Sequence, residues 1–241
     1  MKKILYLLPF FLLTVVSCEE DTLDVYNGDN YVHFTPSLND IPEADYNFAM
    51  DGETTAETQV KVPVEIRLWG YLPEADFKCN ISVVEKKTTA KTADYLKPDY
   101  AVFRQGYHVD TLWVTVNRRP QLLTTDYRLV LQIDATSDEH VVGPGKYNTV
   151  TIHVTDEIKM PPVWWATTPA LGDYTPMKYR VLNIYLGKVL RNLDEYTNIT
   201  FKEKALEFKQ WWKDNWESFK YYAEDGVTPL YDTIPDSAKT A

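Results

Sequence analysis

The chain has two cysteines in 241 residues, so no disulfide framework can organise it. Glycine is also sparse, with nine residues beside fourteen prolines, and 44% of the chain is hydrophobic. That composition excludes a collagen-like repeat, low-complexity sequence and wholesale disorder, and leaves enough apolar surface to build a core. Basic clusters are missing: 25 Lys and Arg stand against 35 Asp and Glu, for a net charge of −10, so there is no surface to neutralise a phosphate backbone and nucleic acid is not expected as a partner. The four histidines, at 33, 108, 140 and 153, are far apart, with no i, i+4 pair of the helical zinc type. There is no G-x-S-x-G elbow and no phosphate-binding loop, and no carboxylate pair can be nominated from spacing, because that geometry is set in three dimensions. The longest uncharged apolar run, Ile4 to Val16, is thirteen residues, too short to span a bilayer.

What that run fits is an export signal. Lys2 and Lys3 precede it as a charged n-region, and it ends in Val15-Val16-Ser17-Cys18. The ending resembles a bacterial lipobox, which implies cleavage before Cys18 and lipidation of its thiol; an ordinary secretory signal with a chance cysteine is the competing explanation. Residues 1–17 are therefore read as a lipoprotein signal peptide and 18–26 as an acidic tether. The start Glu19-Glu20-Asp21 resembles the signal that sends Bacteroidota lipoproteins to the outer face of the outer membrane, and this predicts a membrane partner through the N-terminal lipid. Loss of residues 1–17 leaves 23 basic against 35 acidic residues, a balance of −12 that excludes a polybasic membrane-surface mode.

Residues 27–160 read as a β-sandwich of the immunoglobulin-like class. Val60, Val62, Val64, Ile66 and Leu68 alternate with Lys61, Glu65 and Arg67, the period of a half-buried strand, and Pro63 within it predicts an edge or a bulge. The same period recurs at Phe77 to Val83, Leu112 to Val116, Tyr127 to Ile133 and Val150 to Val154; with Tyr31–Phe34 and Tyr100–Phe103 it makes at least seven strands. Cys79 shares a face with Phe77, Ile81 and Val83, which predicts a buried core thiol and not a nucleophile.

From Pro161 the period changes, and residues 161–241 read as a Trp-rich linker, two packed helices and a frayed tail. Thr175-Pro176 has the form of an N-cap followed by proline at the first helical position, and an apolar stripe then runs for about eighteen residues to Leu193. Thr200-Phe201-Lys202-Glu203 has capping-box spacing, and Phe201, Ala205, Phe208, Trp212, Trp216 and Phe219 follow at helical steps, predicting a second helix that stops before Gly226. Trp164 and Trp165 are expected to act as the hinge, and Trp211, Trp212 and Trp216 to pack on a helix face.

The landmarks Tyr31-Val32-His33-Phe34, Val62-Pro63-Val64, Ala93-Asp94-Tyr95, Asp110 to Val116, Ile152 to Asp156, Pro161 to Trp164 and Gly172 to Lys178, in that order behind a lipobox, resemble the lipoproteins of domain-of-unknown-function family 4843. The resemblance spans nearly the whole mature chain. It implies a Calx-beta or immunoglobulin-like sandwich with a helical C-terminal part, in a Bacteroidota cell-envelope protein often encoded beside polysaccharide-utilisation systems, and it implies no chemistry. In Calx-beta-like sandwiches carboxylates gather around Ca²⁺ at strand ends, which makes Asp134, Asp138, Glu139, Asp156 and Glu157 a candidate Ca²⁺ set. A solvated acidic loop explains them as well, since no EF-hand spacing is present. No other cofactor is expected.

Aromatics make up 14% of the chain, and sugars stack on such rings. Trp113 and Trp69 alternate outward on their strands and are the glycan-binding candidates. An outward tryptophan is either a ligand platform or covered by another element, and the C-terminal helices are expected to supply that cover. The function expected is that of a non-enzymatic accessory protein on the cell exterior, binding a glycan or an outer-membrane uptake protein; a protein-interaction module is the alternative and a glycan-acting enzyme a more remote one.

Overall fold

The computed structural model describes residues 28–136 and 140–236. The signal peptide, Cys18, the tether, Asp138 and Glu139 lie outside the described residues. Among those described, no helix is long and apolar enough to cross a membrane.

Among the described residues, ten strands form two five-stranded sheets. They are β1 (Asn30–Phe34), β2 (Glu43–Asn47), β3 (Gln59–Trp69), β4 (Phe77–Val83), β5 (Tyr95–Leu96), β6 (Tyr100–Phe103), β7 (Val109–Asn117), β8 (Tyr127–Thr136), β9 (His140–Val142) and β10 (Thr149–Thr155). One sheet has the order β5-β7-β3-β1-β9, the other β2-β10-β8-β4-β6. The pattern predicted a sandwich because alternate residues face a shared interior, and they do: Val62, Val64, Ile66 and Leu68 of β3 and Leu112, Val114 and Val116 of β7 are buried against Cys79, Ile81, Leu129, Ile152 and Val154 of the other sheet. Cys79 is fully buried, and burial pushes its thiol up to about 12, so it stays protonated and inert. Three strands escaped the periodic reading. Two, β5 and β9, are only two and three residues long, and β2 (Glu-Ala-Asp-Tyr-Asn) has no fully buried position, so it carries no apolar alternation.

Pro63 sits where β3 is locally an edge. The Glu65 carbonyl accepts from the Thr35 amide on the β1 side, while the Leu68 amide donates to the His108 carbonyl on the β7 side. Odd-numbered positions of β3 therefore point away from β7. The β1 pairing stops at Ile66, so the nitrogen of Pro63 faces a stretch with no partner strand, and its missing N–H costs no ladder bond.

Two helices follow the sandwich, α1 (Pro176–Leu186) and α2 (Asn198–Asp214). The Thr175 hydroxyl caps α1 as predicted, accepting from the Lys178 amide at 3.1 Å. The helix is shorter than its stripe. Gly187 adopts the left-handed conformation (φ 69°) and ends it, while Val189 and Leu190 continue into a loop and remain buried. The cap of α2 is Thr197 and not Thr200: the Thr200 amide donates to Thr197 Oγ1 (3.2 Å) and the Thr197 amide to Thr200 Oγ1 (2.9 Å), a reciprocal box in which threonine fills the usual Glu place. The helix also stops well short of Gly226. Asn215 turns its side-chain amide onto the Trp211 carbonyl (2.8 Å), and Trp216 begins a separate 3-10 turn.

A second core fills the C-terminal part. Phe201, Ala205, Phe208 and Trp212 of α2 are buried against Tyr179 and Leu182 of α1 and against Trp164 and Trp165. The two adjacent tryptophans are thus core and not hinge, each tied down by its indole N–H, Trp164 to the Leu190 carbonyl and Trp165 to the Gly172 carbonyl, both at 3.1 Å. Trp211 packs on the helix face against Tyr185, whereas Trp216, expected on the same face, lies beyond the end of α2 and packs edge-on to Tyr222 and Tyr231. Residues 227–236 are not frayed: Leu230 and Ile234 are buried in this core. Its contacts with the sandwich side include Ala49, Ile158, the Arg191 guanidinium on the Asp51 and Gly52 carbonyls, and a buried carboxylate, Asp156. Asp156 accepts from Arg118 Nε (2.8 Å) and Nη2 (2.9 Å) on the sandwich and from Arg180 Nη1 (3.1 Å) on α1.

Candidate functional site

Both tryptophans nominated from the sequence lie on the outer face of the β5-β7-β3-β1-β9 sheet, and neither is covered. Trp113 is 53% exposed and Trp69 is 44% exposed. The expectation that the helices bury them fails because α1 and α2 close a core of their own at the Asp156 end of the sandwich. Nor do the two rings share one platform. Trp113 pairs with Pro63, six residues before Trp69 on β3, which separates the two by roughly 20 Å at the usual strand rise.

Their surroundings differ. Trp113 stands between Thr111 and Thr115 opposite Pro63, with no aromatic neighbour among the described residues. Trp69 is the last residue of β3, where Gly70 (φ 128°) turns the chain against Asn30, and Asn30 Oδ1 accepts from the Tyr71 amide at 2.7 Å. Tyr31 pairs directly opposite it on β1. The His33 ring lies 4.0 Å from the Trp69 ring, centroid to centroid, and Tyr147 meets Trp69 edge-on at 5.9 Å. Trp69 is thus the exposed member of an aromatic cluster built from β1, β3 and the turn before β10.

His33 alternates outward with Tyr31, yet it is only 1% exposed, because Trp69 and Tyr147 cover it and Gly143 packs on its Cβ. Its Nδ1 lies 2.9 Å from the Phe34 carbonyl and so carries the proton of the neutral ring; Nε2 is buried without a hydrogen-bond partner among the described residues. Burial holds its pKa below the ordinary histidine value, and Arg67, its register partner on β3, pushes the same way. Two ion pairs flank the cluster. Arg67 is neutralised by Glu65 at 2.8 Å, and Lys146 by Asp40, whose carboxylate also accepts from the Tyr147 hydroxyl at 2.8 Å. The hydrogen bonds from Lys146 and Tyr147 hold the Asp40 carboxyl below its usual range.

Sequence reasoning found Trp69 but missed the two residues that back it. Tyr147 sits in Gly143-Pro144-Gly145-Lys146-Tyr147, which reads only as a turn, and a lone outward histidine carries no spacing signal. Of the candidate Ca²⁺ set, the three members among the described residues, Asp134, Asp156 and Glu157, are not gathered into a site. Asp134 is exposed on β8, Glu157 lies 3.4 Å from Lys159, and both oxygens of Asp156 are taken by arginines whose charges oppose a cation. Among the described residues no group of three or more His, Cys, Asp or Glu side chains is placed to hold a metal ion.

No curated protein matches the chain. Among solved structures, CBD12 from CALX1.2 is similar at 12% identity and a TM-score of 0.37, over 52% of this chain and 44% of that one. A Bacteroides ovatus protein of unknown function is similar at 13% identity and a TM-score of 0.36, over 53% of this chain and 52% of that one. This chain therefore spans about half the length of those two structures or less. The family model of domain of unknown function DUF4843 matches residues 26–188, which is the sandwich with α1 and leaves α2 outside, and the chain belongs to that family.

Proposed function

We propose that this protein is a non-enzymatic accessory protein, lipid-anchored through Cys18 on the cell exterior, that binds a neutral polysaccharide for a nutrient-uptake system. The observation that carries the reading is the Trp69 cluster: a half-exposed indole backed by the His33 ring at 4.0 Å and braced by Tyr147. A sugar ring stacks its C–H face on an indole, and a ring already fixed by its neighbours loses little freedom on doing so. The cations beside it are each paired with a carboxylate, so the platform offers no free positive charge to select an acidic glycan. The lipobox and the acidic start support the anchor and its outward address.

Affinity electrophoresis of the chain from residue 19 onward, through gels cast with plant, host and microbial polysaccharides, tests this. Retardation by a neutral polysaccharide that is lost in Trp69→Ala supports it. Free migration in every gel, together with co-purification of an outer-membrane protein after cross-linking in intact cells, replaces it with a protein-interaction role.

A further inference from the structure

Away from the Trp69 platform, a cavity of about 430 Å³ opens where three segments converge: Thr89–Asp94, Arg119–Leu122 and Thr125–Tyr127. Its volume falls in the range of small-molecule sites, roughly 300–1,000 Å³. One wall is locked by a hydrogen-bond network. Asp94 accepts from the Lys91 amide at 2.7 Å and from Arg119 Nε at 3.2 Å. The Tyr127 hydroxyl donates to the Asp94 carbonyl (3.1 Å), and the Asn117 side chain to the Ala93 carbonyl (2.8 Å). The Arg119 guanidinium also reaches the Ala93 carbonyl. This network explains why Ala93-Asp94-Tyr95 stands out in the sequence: the segment is pinned to the β7–β8 connection. A wall held in this way needs no reordering when a ligand arrives.

Four exposed polar residues complete the lining: Lys91, Gln121, Thr125 and Asp126, whose side chains make no hydrogen bond or ion pair within the described residues. Donors and acceptors are therefore mixed. The charges balance, Lys91 and Arg119 against Asp94 and Asp126, so the lining has no net charge with which to favour a cation or an anion. The apolar lining is the exposed Ala93 with Leu122 and Tyr127, both largely buried, so it offers small aliphatic C–H patches and no open aromatic face. A ring carrying several hydroxyls, each able to donate and accept, satisfies such a lining.

We infer that this cavity is a second ligand site, which takes a single neutral sugar unit through Gln121, Thr125, Asp126 and Lys91. It stands apart from the Trp69 platform and does not depend on it. The test is saturation-transfer NMR on the protein with glucose, galactose, mannose and N-acetylglucosamine, and with glycine, glutamate and lysine for comparison. The expected result is saturation of at least one sugar, weakened about tenfold or more in Asp126→Ala and in Gln121→Ala and unchanged in Trp69→Ala, since loss of a hydrogen bond to a charged or amide partner has that effect. Both substituted positions are exposed, and a circular dichroism spectrum matching the parent's confirms that the fold is kept. Absence of sugar binding at millimolar concentration, binding unaffected by both substitutions, or preference for an amino acid would each overturn the inference. Loss of polysaccharide retardation in Trp69→Ala reports on the platform alone, so the two readings fail separately.

Discussion

Removing the Asp156 carboxylate should cost the fold about 3 kcal/mol. The side chain is buried, at 3% residue exposure, and receives three charge-assisted hydrogen bonds, two from Arg118 and one from Arg180. Breaking a buried ion pair from one side costs about 3–5 kcal/mol, because the partner charge is left unpaired. Here two guanidinium groups are left, but each keeps a carbonyl: Arg118 Nη1 still donates to Thr55 (2.7 Å) and Arg180 Nη2 to the Asp156 main chain (2.5 Å). Their side chains are also 20% and 14% exposed, so water screens part of the residual charge, which places the cost at the lower end of that range. For a chain of this size 3 kcal/mol is a fall in Tm of about 6–12 °C. Urea unfolding followed by circular dichroism gives the free energy, and the triple change Asp156→Leu, Arg118→Met, Arg180→Met should recover most of it, since an apolar replacement of the whole cluster strands no charge. A loss below about 1 kcal/mol in Asp156→Ala, or a triple variant no better than the single one, would refute the argument that Asp156 latches α1 to the sandwich.

Further outcomes follow from the same geometry. Thr175→Ala and Thr197→Ala each remove a helix cap and should lower stability by about 1 kcal/mol, whereas Thr200→Ser, which keeps the hydroxyl of the reciprocal box, should cost less; urea midpoints distinguish them. His33 has a folded pKa below its unfolded value, so its contribution is complete above about pH 6.5 and is lost as the pH falls towards the folded value; a melting series from pH 7.5 to 5 should show that slope, and His33→Gln should flatten it. Lys178 is buried, with Nζ on the Leu171 (2.9 Å) and Asp173 (2.7 Å) carbonyls, and burial lowers its pKa to about 8. The unfolded chain therefore binds the extra proton between about pH 8 and 10.5, and stability should rise across that window in the parent protein but not in Lys178→Met, read from urea midpoints at each pH. Cys79 should resist a thiol reagent in the native state and react only on unfolding; labelling at the rate of a free thiol would contradict its place in the core.

The sandwich was legible because its strands pay a visible toll in alternation: one face of β3, β7, β8 and β10 must be apolar, and period two shows it. Both N-terminal helix boundaries left a threonine signal, though at α2 the Thr197–Thr200 box mimicked a later start. What stayed hidden has a common cause. Helix ends are decided by backbone groups finding partners, as at Gly187 and Asn215, while an apolar stripe runs on wherever the loop beyond is also buried. The cover of Trp69 and Trp113 depended on where the helices dock, which rests in part on Asp156 meeting Arg118 and Arg180 across 38 and 24 residues of sequence. In the same way His33 and Tyr147 lie far apart in the chain, and only the pairing of β1 with β3 and β9 brings them to Trp69.

The central claim, that the exposed face around Trp69 binds a glycan, is tested most directly by affinity electrophoresis of the parent protein, Trp69→Ala and Trp113→Ala side by side. Retardation by one neutral polysaccharide, abolished in Trp69→Ala and retained in Trp113→Ala, is the predicted result. Equal migration of all three proteins through every polysaccharide, or retardation lost only in Trp113→Ala, would contradict it.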